Sequence, residues 1–359
     1  MKRAILAVLA LALFAGCGGD DQPEATPTPA AAAKAADLGA IQAYLLDHTQ
    51  RLVDSTAQIE RDAQAYYDLA KAQNFDYGKL LGSQRDEVAA AVEKLQADFV
   101  EANPEYEQME GVVAGVPSLA DFDVIIDAGG DKSDPENAVP FSIETLAGRK
   151  FEQPGNFFLL LESSLWGTEP KYAAKGVEPD LDGDGKVTFP EALPDADFLI
   201  AASRDFAETA KELDNAAREW DPTLEDAFTA VVVMTPTMSE YFEAWKNSRF
   251  IAGADAEEKG FVATSRLSDI SDILGGLVLI YDSIQPSVET VDGQKAQQTE
   301  RSLEDLHQFA QRLFESEQDG KKFTASDADT LGSEAQRRAE AIAGQVSQAA
   351  GQLNLQLED

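Results

Sequence analysis

Residues 180–191 carry oxygen atoms at the spacing of a calcium-binding loop. Calcium prefers hard oxygen ligands, and an EF-hand loop supplies them from positions 1, 3, 5, 7, 9 and 12 of about twelve residues, with glycine at position 6. In this chain those six positions hold Asp180, Asp182, Asp184, Lys186 (through its backbone carbonyl), Thr188 and Glu191, and Gly185 stands at the turn. The segment therefore predicts an EF-hand-type calcium site. The alternative is an acidic turn that binds no ion.

The surroundings of this loop favour a structural role for the ion. Pro190 and Pro194 flank the closing glutamate, so the helix that normally leaves such a loop is delayed. The sequence contains no second loop of this type with which it could pair. We therefore predict a calcium clip that stabilises the fold, rather than a calcium sensor.

The first residues of the chain resemble a bacterial lipoprotein signal. Lys2 and Arg3 precede the apolar stretch 4–14, which is shorter than the roughly 20 residues that span a bilayer. The stretch ends in Ala15-Gly16-Cys17, and this cysteine is the only one in the chain. The pattern predicts a signal peptide over 1–16, lipidation of Cys17 and a disordered tether over 17–36. It places the protein in the bacterial envelope, held to the membrane by its lipid; a secretory signal with an incidental cysteine is the alternative.

Composition limits the partners of the remaining chain. The formal net charge of −36 repels nucleic acid and anionic lipid and attracts cations, although an acidic exterior can also serve only for solubility. With 44% hydrophobic residues, the roughly 320 residues after the tether can bury a large core, as one large domain or as two lobes. We expect this domain to span 37–357.

Apolar residues recur at helical spacing along nearly the whole chain. We found no convincing strand alternation, so the fold predicted is an all-α bundle. Residues 128–140 and 285–297 are predicted as a loop and a surface linker. Helices are predicted over about 37–73, 88–99, 106–113, 156–166, 194–220, 223–248, 258–284 and 298–317, and from a capping pair at Ser326 and Asp329 onward.

Catalytic motifs are absent from the sequence. The two histidines, His48 and His307, are far apart and isolated, and the only cysteine is the predicted lipid site. No Ser/His/Asp set, His-Glu-x-x-His motif or phosphate-binding loop can be formed. The residues favour a binding protein over an enzyme.

Several segments resemble the imelysin family. The phrase Glu162-Ser-Ser-Leu-Trp-Gly167 is similar to the end of the imelysin signature, where Gly-x-His-x-x-Glu precedes an apolar pair, Trp and Gly. Tyr-Glu-Gln-Met-Glu at 106–110 and the Asp-rich segment 121–127 resemble parts of periplasmic iron-uptake relatives. The segments 265–283 and 314–357 are similar to later imelysin helices. The resemblance implies an exported, all-helical protein of two bundle-like halves, often linked to iron acquisition.

The resemblance also implies a metal site. Its ligands in this chain would be Glu107, Glu110, Asp127 and Glu162. The chain departs from the family motif at Leu159, where the family has histidine, and at Phe157, where it has glycine. What remains is an all-carboxylate set, which suits hard cations better than iron or other transition metals. Candidates for a fifth acidic ligand are Glu240, Glu243, Glu257 and Glu258.

These observations predict an imelysin-like, two-lobed lipoprotein that binds a cation or a metal-bearing ligand, with a role in iron or metal uptake. Two alternatives stay open. One is a metallopeptidase of the imelysin type, against which the missing histidine argues. The other is an adhesion or scaffolding lipoprotein whose metal site has decayed.

Overall fold

A computed structural model describes residues 35–357. The predicted signal peptide, Cys17 and most of the predicted tether lie outside this range. Within it the regular secondary structure is helical apart from one small hairpin, so the prediction of an all-α fold is confirmed. No helix in this range is long and apolar enough to cross a membrane.

The helices are numbered here in chain order. The two hairpin strands, β1 (Ser142–Glu144) and β2 (Lys150–Glu152), pair antiparallel, with Ile143 opposite Phe151. The helices are α1 (Leu38–Ala72), α2 (Tyr77–Val113), α3 (Ala120–Asp123), α4 (Phe157–Leu165), α5 (Ala196–Glu219), α6 (Leu224–Met234), α7 (Met238–Asn247), α8 (Arg249–Ala252), α9 (Arg266–Gln318) and α10 (Ala325–Gln352).

These helices pack as two groups. Helices α1, α2 and α5 form the first group, against which α4 also packs. Helices α6, α7 and α10 pack with α9 as the second group, and α9 also lies along α2. Helices α2 and α9 therefore join the two groups, and the site described below is built where they meet.

Helix α2 is longer than predicted, because it covers both the second and the third predicted helix. Pro104 lies inside it, although proline removes a backbone donor and was expected to open a new helix. The apolar face continues across the proline, with Phe99, Tyr106 and Met109 all buried. Burial of this continuous face outweighs the loss of one helical hydrogen bond.

The predicted surface linker at 285–297 was also wrong. It is part of α9, which contains Pro286 and bends at Asp292, the residue with non-helical backbone angles. Val288 and Ala296 are buried on either side of that bend, so packing holds the two halves together as one element.

Other boundaries differ from the predictions for local reasons. The predicted helix 223–248 is two helices, α6 and α7, separated by a 3₁₀ turn at Thr235–Thr237 that contains a proline. The last helix begins one residue after Thr324, which forms a reciprocal capping box with Asp327 in place of the predicted pair. The hairpin at 142–152 was not predicted, because its strands have three residues each and are too short to show alternation.

Helix α9 begins at Arg266 and not near 258. Ser265 caps it, and its hydroxyl accepts a hydrogen bond from the N–H of Leu267 at 3.3 Å. Residues 258–265 therefore form an irregular segment with free backbone N–H groups, and the site uses three of them.

Candidate cation-binding site

Helix α2 brings the first two predicted ligands into the centre of the molecule. Glu107 and Glu110 stand three residues apart on its buried face, as the helical period requires. Asn103, one turn earlier, donates a hydrogen bond from Nδ2 to Oε1 of Glu107 at 2.9 Å. On the other carboxylate, Oε1 of Glu110 accepts a hydrogen bond from the hydroxyl of Tyr241 at 2.6 Å.

A single π-helical turn, Val124–Ala128, carries Asp127 to the same place. The turn is fastened to α4 by Asn156, whose side-chain amide donates to the carbonyl oxygens of Asp127 and Gly129. The amide oxygen of Asn156 accepts the N–H of Leu159 and so caps α4. One side chain thus sets both the position of Asp127 and the start of the helix that holds Glu162.

Three of the four residues implied by the resemblance come together. Glu107, Glu110 and Asp127 each offer a carboxylate oxygen, and these oxygens lie within 4.8 Å of one another. Oxygens so close can surround one ion, since metal–oxygen distances are about 2.0–2.6 Å. All three side chains are buried.

Glu162 takes a different role. It lines the same cleft, but its carboxylate accepts hydrogen bonds from the backbone N–H groups of Phe261, Val262 and Ala263 at 2.6–2.7 Å. It therefore holds the irregular segment 258–265 against α4. Burial raises the pKa of Glu162 to about 8, while the three N–H donors oppose that rise.

Arg266 lies among the carboxylates and was missed from the sequence. Its guanidinium is 3.2 Å from Asp269, 3.4 Å from Asp127 and 3.5 Å from Glu107 (nitrogen to oxygen). The rings of Tyr241 and Phe261 hold it at 4.5 and 4.4 Å from their centroids. The prediction of a helix from about 258 placed this arginine inside that helix, and its role as counter-ion was not recognised.

The site also contains two further acids that were not proposed as ligands. Asp123 accepts a hydrogen bond from the hydroxyl of buried Tyr106 at 2.7 Å. Asp269 is one turn after Arg266 on α9 and pairs with it. The i,i+3 spacing of Arg266 and Asp269 on an otherwise apolar helix face was the one signal in the sequence.

The electrostatics of this cluster are unbalanced. Five carboxyl groups, those of Glu107, Glu110, Asp123, Asp127 and Asp269, share the one guanidinium of Arg266 among the described residues. Burial is the main cause that raises the pKa of Glu110 to about 8 and the pKa values of Asp123 and Asp269 to about 7. Burial, with the charges of Asp269 and Asp127, also raises the pKa of Glu107 well above its usual range. The cluster is short of positive charge.

The cluster opens into a cleft of about 500 Å³. Its walls come from both helix groups, from α4 and from the segment 258–265. Of the candidate fifth ligands, Glu240 and Glu258 line this cleft, whereas Glu243 and Glu257 do not. Leu159 also lines the cleft with Glu162, as their i,i+3 spacing predicted.

The two histidines lie elsewhere. His48 on α1 is buried and its Nδ1 is 3.1 Å from Oε2 of Glu105, so it packs within the first helix group. His307 on α9 is half-buried beside Gly275, and burial lowers its pKa. Neither lines the cleft, which leaves its ligands all oxygen.

The predicted calcium loop has a conformation that suits an ion. Carboxylate oxygens of Asp180, Asp182 and Asp184 lie within 4.8 Å of one another. The three carboxylates each accept backbone N–H groups from within the loop, and Gly185 has the positive φ of 82° that a sharp turn needs. The side chain of Glu191, the last residue of the loop, reaches back to backbone N–H groups near its start.

The remaining positions of this loop are also arranged around Glu191. Its carboxylate accepts the N–H groups of Leu181 at 2.8 Å and Thr188 at 2.7 Å. Lys186 donates its N–H to Oδ1 of Asp184 at 2.8 Å. Calcium binding by this loop stays a prediction.

Long helices packed around a buried, carboxylate-rich cleft define this molecule as an all-helical protein with an internal acidic site. The sequence model of the Imelysin family matches residues 40–349, most of the chain, so the protein belongs to the imelysin family. The resemblance predicted from short motifs is thereby confirmed. No curated protein matches the sequence.

Proposed function

We propose that the protein binds a positively charged ligand in the acidic cleft, and that a hard metal ion is the simplest such ligand. The observation that carries this proposal is the charge imbalance of five carboxyl groups around Arg266, four of them buried and that of Asp123 half-buried. A buried carboxylate without a counter-charge is costly, so any added cation that reaches the cluster gains free energy. The clustered oxygens of Glu107, Glu110 and Asp127 support a metal ion, and Oε2 of Glu110 has no hydrogen-bond partner among the described residues.

The donor set fits a hard cation better than a soft one. All three clustered ligands are carboxylates, whereas imidazole, a ligand better suited to iron or zinc, is not present in the cleft. Glu162 supports the segment 258–265 with both of its oxygens. We therefore expect modest affinity for a transition metal such as iron, through Glu107, Glu110 and Asp127, with Glu162 acting from the side.

The wider role follows from the sequence. We propose an envelope lipoprotein, anchored by acyl chains on Cys17, that captures a cation or metal-bearing ligand for uptake, with one structural calcium in the loop 180–191. Labelled palmitate should enter the wild type and not Cys17→Ser. Equal labelling of both proteins would contradict the anchor and leave the cleft proposal untouched.

The binding proposal is tested by isothermal titration with Mn²⁺ and, under anaerobic conditions, with Fe²⁺. No calcium is added, because it is itself a hard cation that would compete for the cluster, and every protein carries Asp180→Ala and Glu191→Gln so that the loop 180–191 does not contribute heat. Glu110→Gln and Asp127→Asn should each weaken binding at least tenfold, because each removes a carboxylate from the cluster.

The matched control is Glu212→Gln, which neutralises an exposed acid on α5 and should change nothing. If the wild type binds the metal and all three variants bind it with the same affinity, the metal lies elsewhere. If the wild type takes up neither ion, capture of a metal ion by the cleft is wrong.

A further inference from the structure

The carboxyl groups of the acidic cluster differ in whether they line the cleft. Glu107 and Asp269 pair with Arg266 and do not line it. Glu110, Asp123 and Asp127 line it, and of these Asp127 also pairs with Arg266. Glu110 and Asp123 therefore line the cleft without an ion-pair partner among the described residues.

Glu110 offers a specific point of attachment in the cleft. Its side chain is 3% exposed, and Oε1 is bound by the hydroxyl of Tyr241. Oε2 is buried and accepts no hydrogen bond from the described chain. A buried acceptor left without a donor costs about 1–3 kcal/mol, so a ligand that supplies an N–H donor recovers that cost.

Part of the cleft wall is apolar, and the cleft is larger than an ion needs. Phe99, Phe158, Leu159, Met234 and Phe261 contribute to its walls. One water molecule occupies about 30 Å³ of liquid volume, so about 500 Å³ can hold an organic body as well as a charge. Apolar walls that end in a carboxylate are typical of sites for small organic ligands.

We propose that the cleft binds an organic amine, with its ammonium group on Glu110 and its hydrocarbon body against the apolar walls. The inference rests on the proposed function and narrows its ligand class. An ammonium group has three donors, which can serve Oε2 of Glu110 and the neighbouring acids Asp123 and Asp127. Aromatic walls such as Phe158 and Phe261 add favourable contact with a cation or with its chain.

The test separates the charge from the hydrocarbon body. Hexylamine carries both, ammonium chloride carries only the charge, and 1-hexanol carries only the body. Isothermal titration at pH 8, in the same loop-variant background and without added calcium, should give a dissociation constant for hexylamine at least tenfold below those of the other two. Hexylamine binding no tighter than hexanol would overturn the proposal.

Variants locate the binding point. Glu110→Gln should weaken hexylamine at least tenfold and leave hexanol unchanged, while the exposed control Glu212→Gln should match the wild type. Asp123→Asn, which keeps an acceptor for Tyr106, serves as a second variant if Glu110→Gln does not fold, and should weaken hexylamine in the same direction. If Glu110→Gln folds and binds hexylamine as tightly as the wild type, the assignment is overturned. If Glu110→Gln does not fold, unchanged hexylamine affinity in Asp123→Asn overturns it.

Titration of the same samples with Mn²⁺ distinguishes this inference from the proposed function. Binding of Mn²⁺ without binding of hexylamine contradicts only the organic ligand. Failure of both contradicts cation capture as a whole.

Discussion

At the scale of single residues, the position of Arg266 decides what kind of cation site this is. A guanidinium with three carboxylate neighbours at 3.2–3.5 Å already supplies one positive charge to the cluster. It also remains charged at any physiological pH, because the pKa of arginine lies far above 7 and its carboxylate neighbours raise it further. A bound ligand therefore adds to this charge, or competes with it, and never meets an all-negative site.

Removal of that charge should destabilise the protein strongly at alkaline pH. Arg266→Gln leaves Glu107, Asp127 and Asp269 buried without their counter-ion, and breaking a buried ion pair costs about 3–5 kcal/mol. The cost should shrink at pH 5, because the raised pKa values of Glu107 and Asp269 let these groups hold protons there. Urea unfolding at pH 8 and pH 5 measures both values.

The control for Arg266→Gln is Arg218→Gln, which breaks a half-exposed pair with Asp214 on α5. Exposed pairs are worth about 0–1 kcal/mol, so its cost should be small at either pH. Equal losses for the two variants at pH 8 would mean that Arg266 is not the counter-ion of the cluster.

The missing histidine leads to a second prediction at this scale. Leu159 lines the cleft on the same helix face as Glu162, so Leu159→His places an imidazole where the family motif has one. Binding of Fe²⁺ should become at least tenfold tighter, because nitrogen suits this metal better than oxygen alone. Titration of Leu159→Gln, which has a polar side chain without imidazole, is the comparison, and equal affinities for the two variants would refute the effect.

At the scale of elements, apolar spacing predicted the helices, and contacts that are distant in the sequence decided the rest. Periodicity predicted α1 and α4 to within one residue at each end. It failed at Pro104 and Pro286, where local propensity favours a break but packing on both sides keeps one helix. Tertiary burial overrides propensity in such places.

In the site too, local spacing predicted some residues, and contacts distant in the sequence decided the others. Glu107 and Glu110 were predictable as neighbours from their helical spacing. Arg266 was not, because it stands 159 positions after Glu107 in the sequence and the two meet only through the tertiary fold. The role of Glu162 depends on an irregular segment at 258–265 whose N–H groups no periodicity reveals.

The predicted calcium loop, residues 180–191, gives a prediction at this scale. It lies between α4 and α5 and contacts the first helix group through Gln96 of α2, which donates a hydrogen bond to the carbonyl of Pro190 at 3.4 Å. Calcium at about 100 times its dissociation constant should therefore stabilise the protein by about 2.7 kcal/mol. Melting temperature with calcium and with chelator measures this gain.

Two variants and one control locate that gain. Asp180→Ala and Glu191→Gln should abolish most of the calcium-induced rise in melting temperature. Asp221→Asn, an exposed acid between α5 and α6, should keep it. A rise that survives in both loop variants would show that calcium acts elsewhere on the acidic surface.

At the scale of the whole molecule, negative charge is both inside and outside. The formal charge of −36 makes the compact state self-repelling, and salt screens this surface term. The buried carboxyl groups of the cleft are screened much less. High salt therefore separates the contribution of the site from that of the exterior.

The stability of the cation-free protein should fall as pH rises from about 5 to about 8, even in high salt. The pKa values of Glu110 and Glu162 are about 8 and those of Asp123 and Asp269 about 7 in the folded protein. Unfolded carboxyl groups titrate near 4, so between these limits the folded state holds more protons than the unfolded state. The contribution of these groups to the free energy of unfolding is therefore fully present below about pH 4. It is lost as pH rises through their folded pKa values.

Glu110→Gln isolates one group in this pH dependence. The neutral amide cannot lose a proton, so the fall in unfolding free energy between pH 5 and pH 8 should be shallower than in the wild type, by up to about 1.4 kcal/mol per pH unit. Denaturant unfolding in 1 M NaCl with chelator, at each pH unit, gives the two curves, and Glu212→Gln should follow the wild type. Parallel curves for Glu110→Gln and the wild type would mean that Glu110 is already ionised in the folded protein. The acidic cleft would then be satisfied by Arg266 alone.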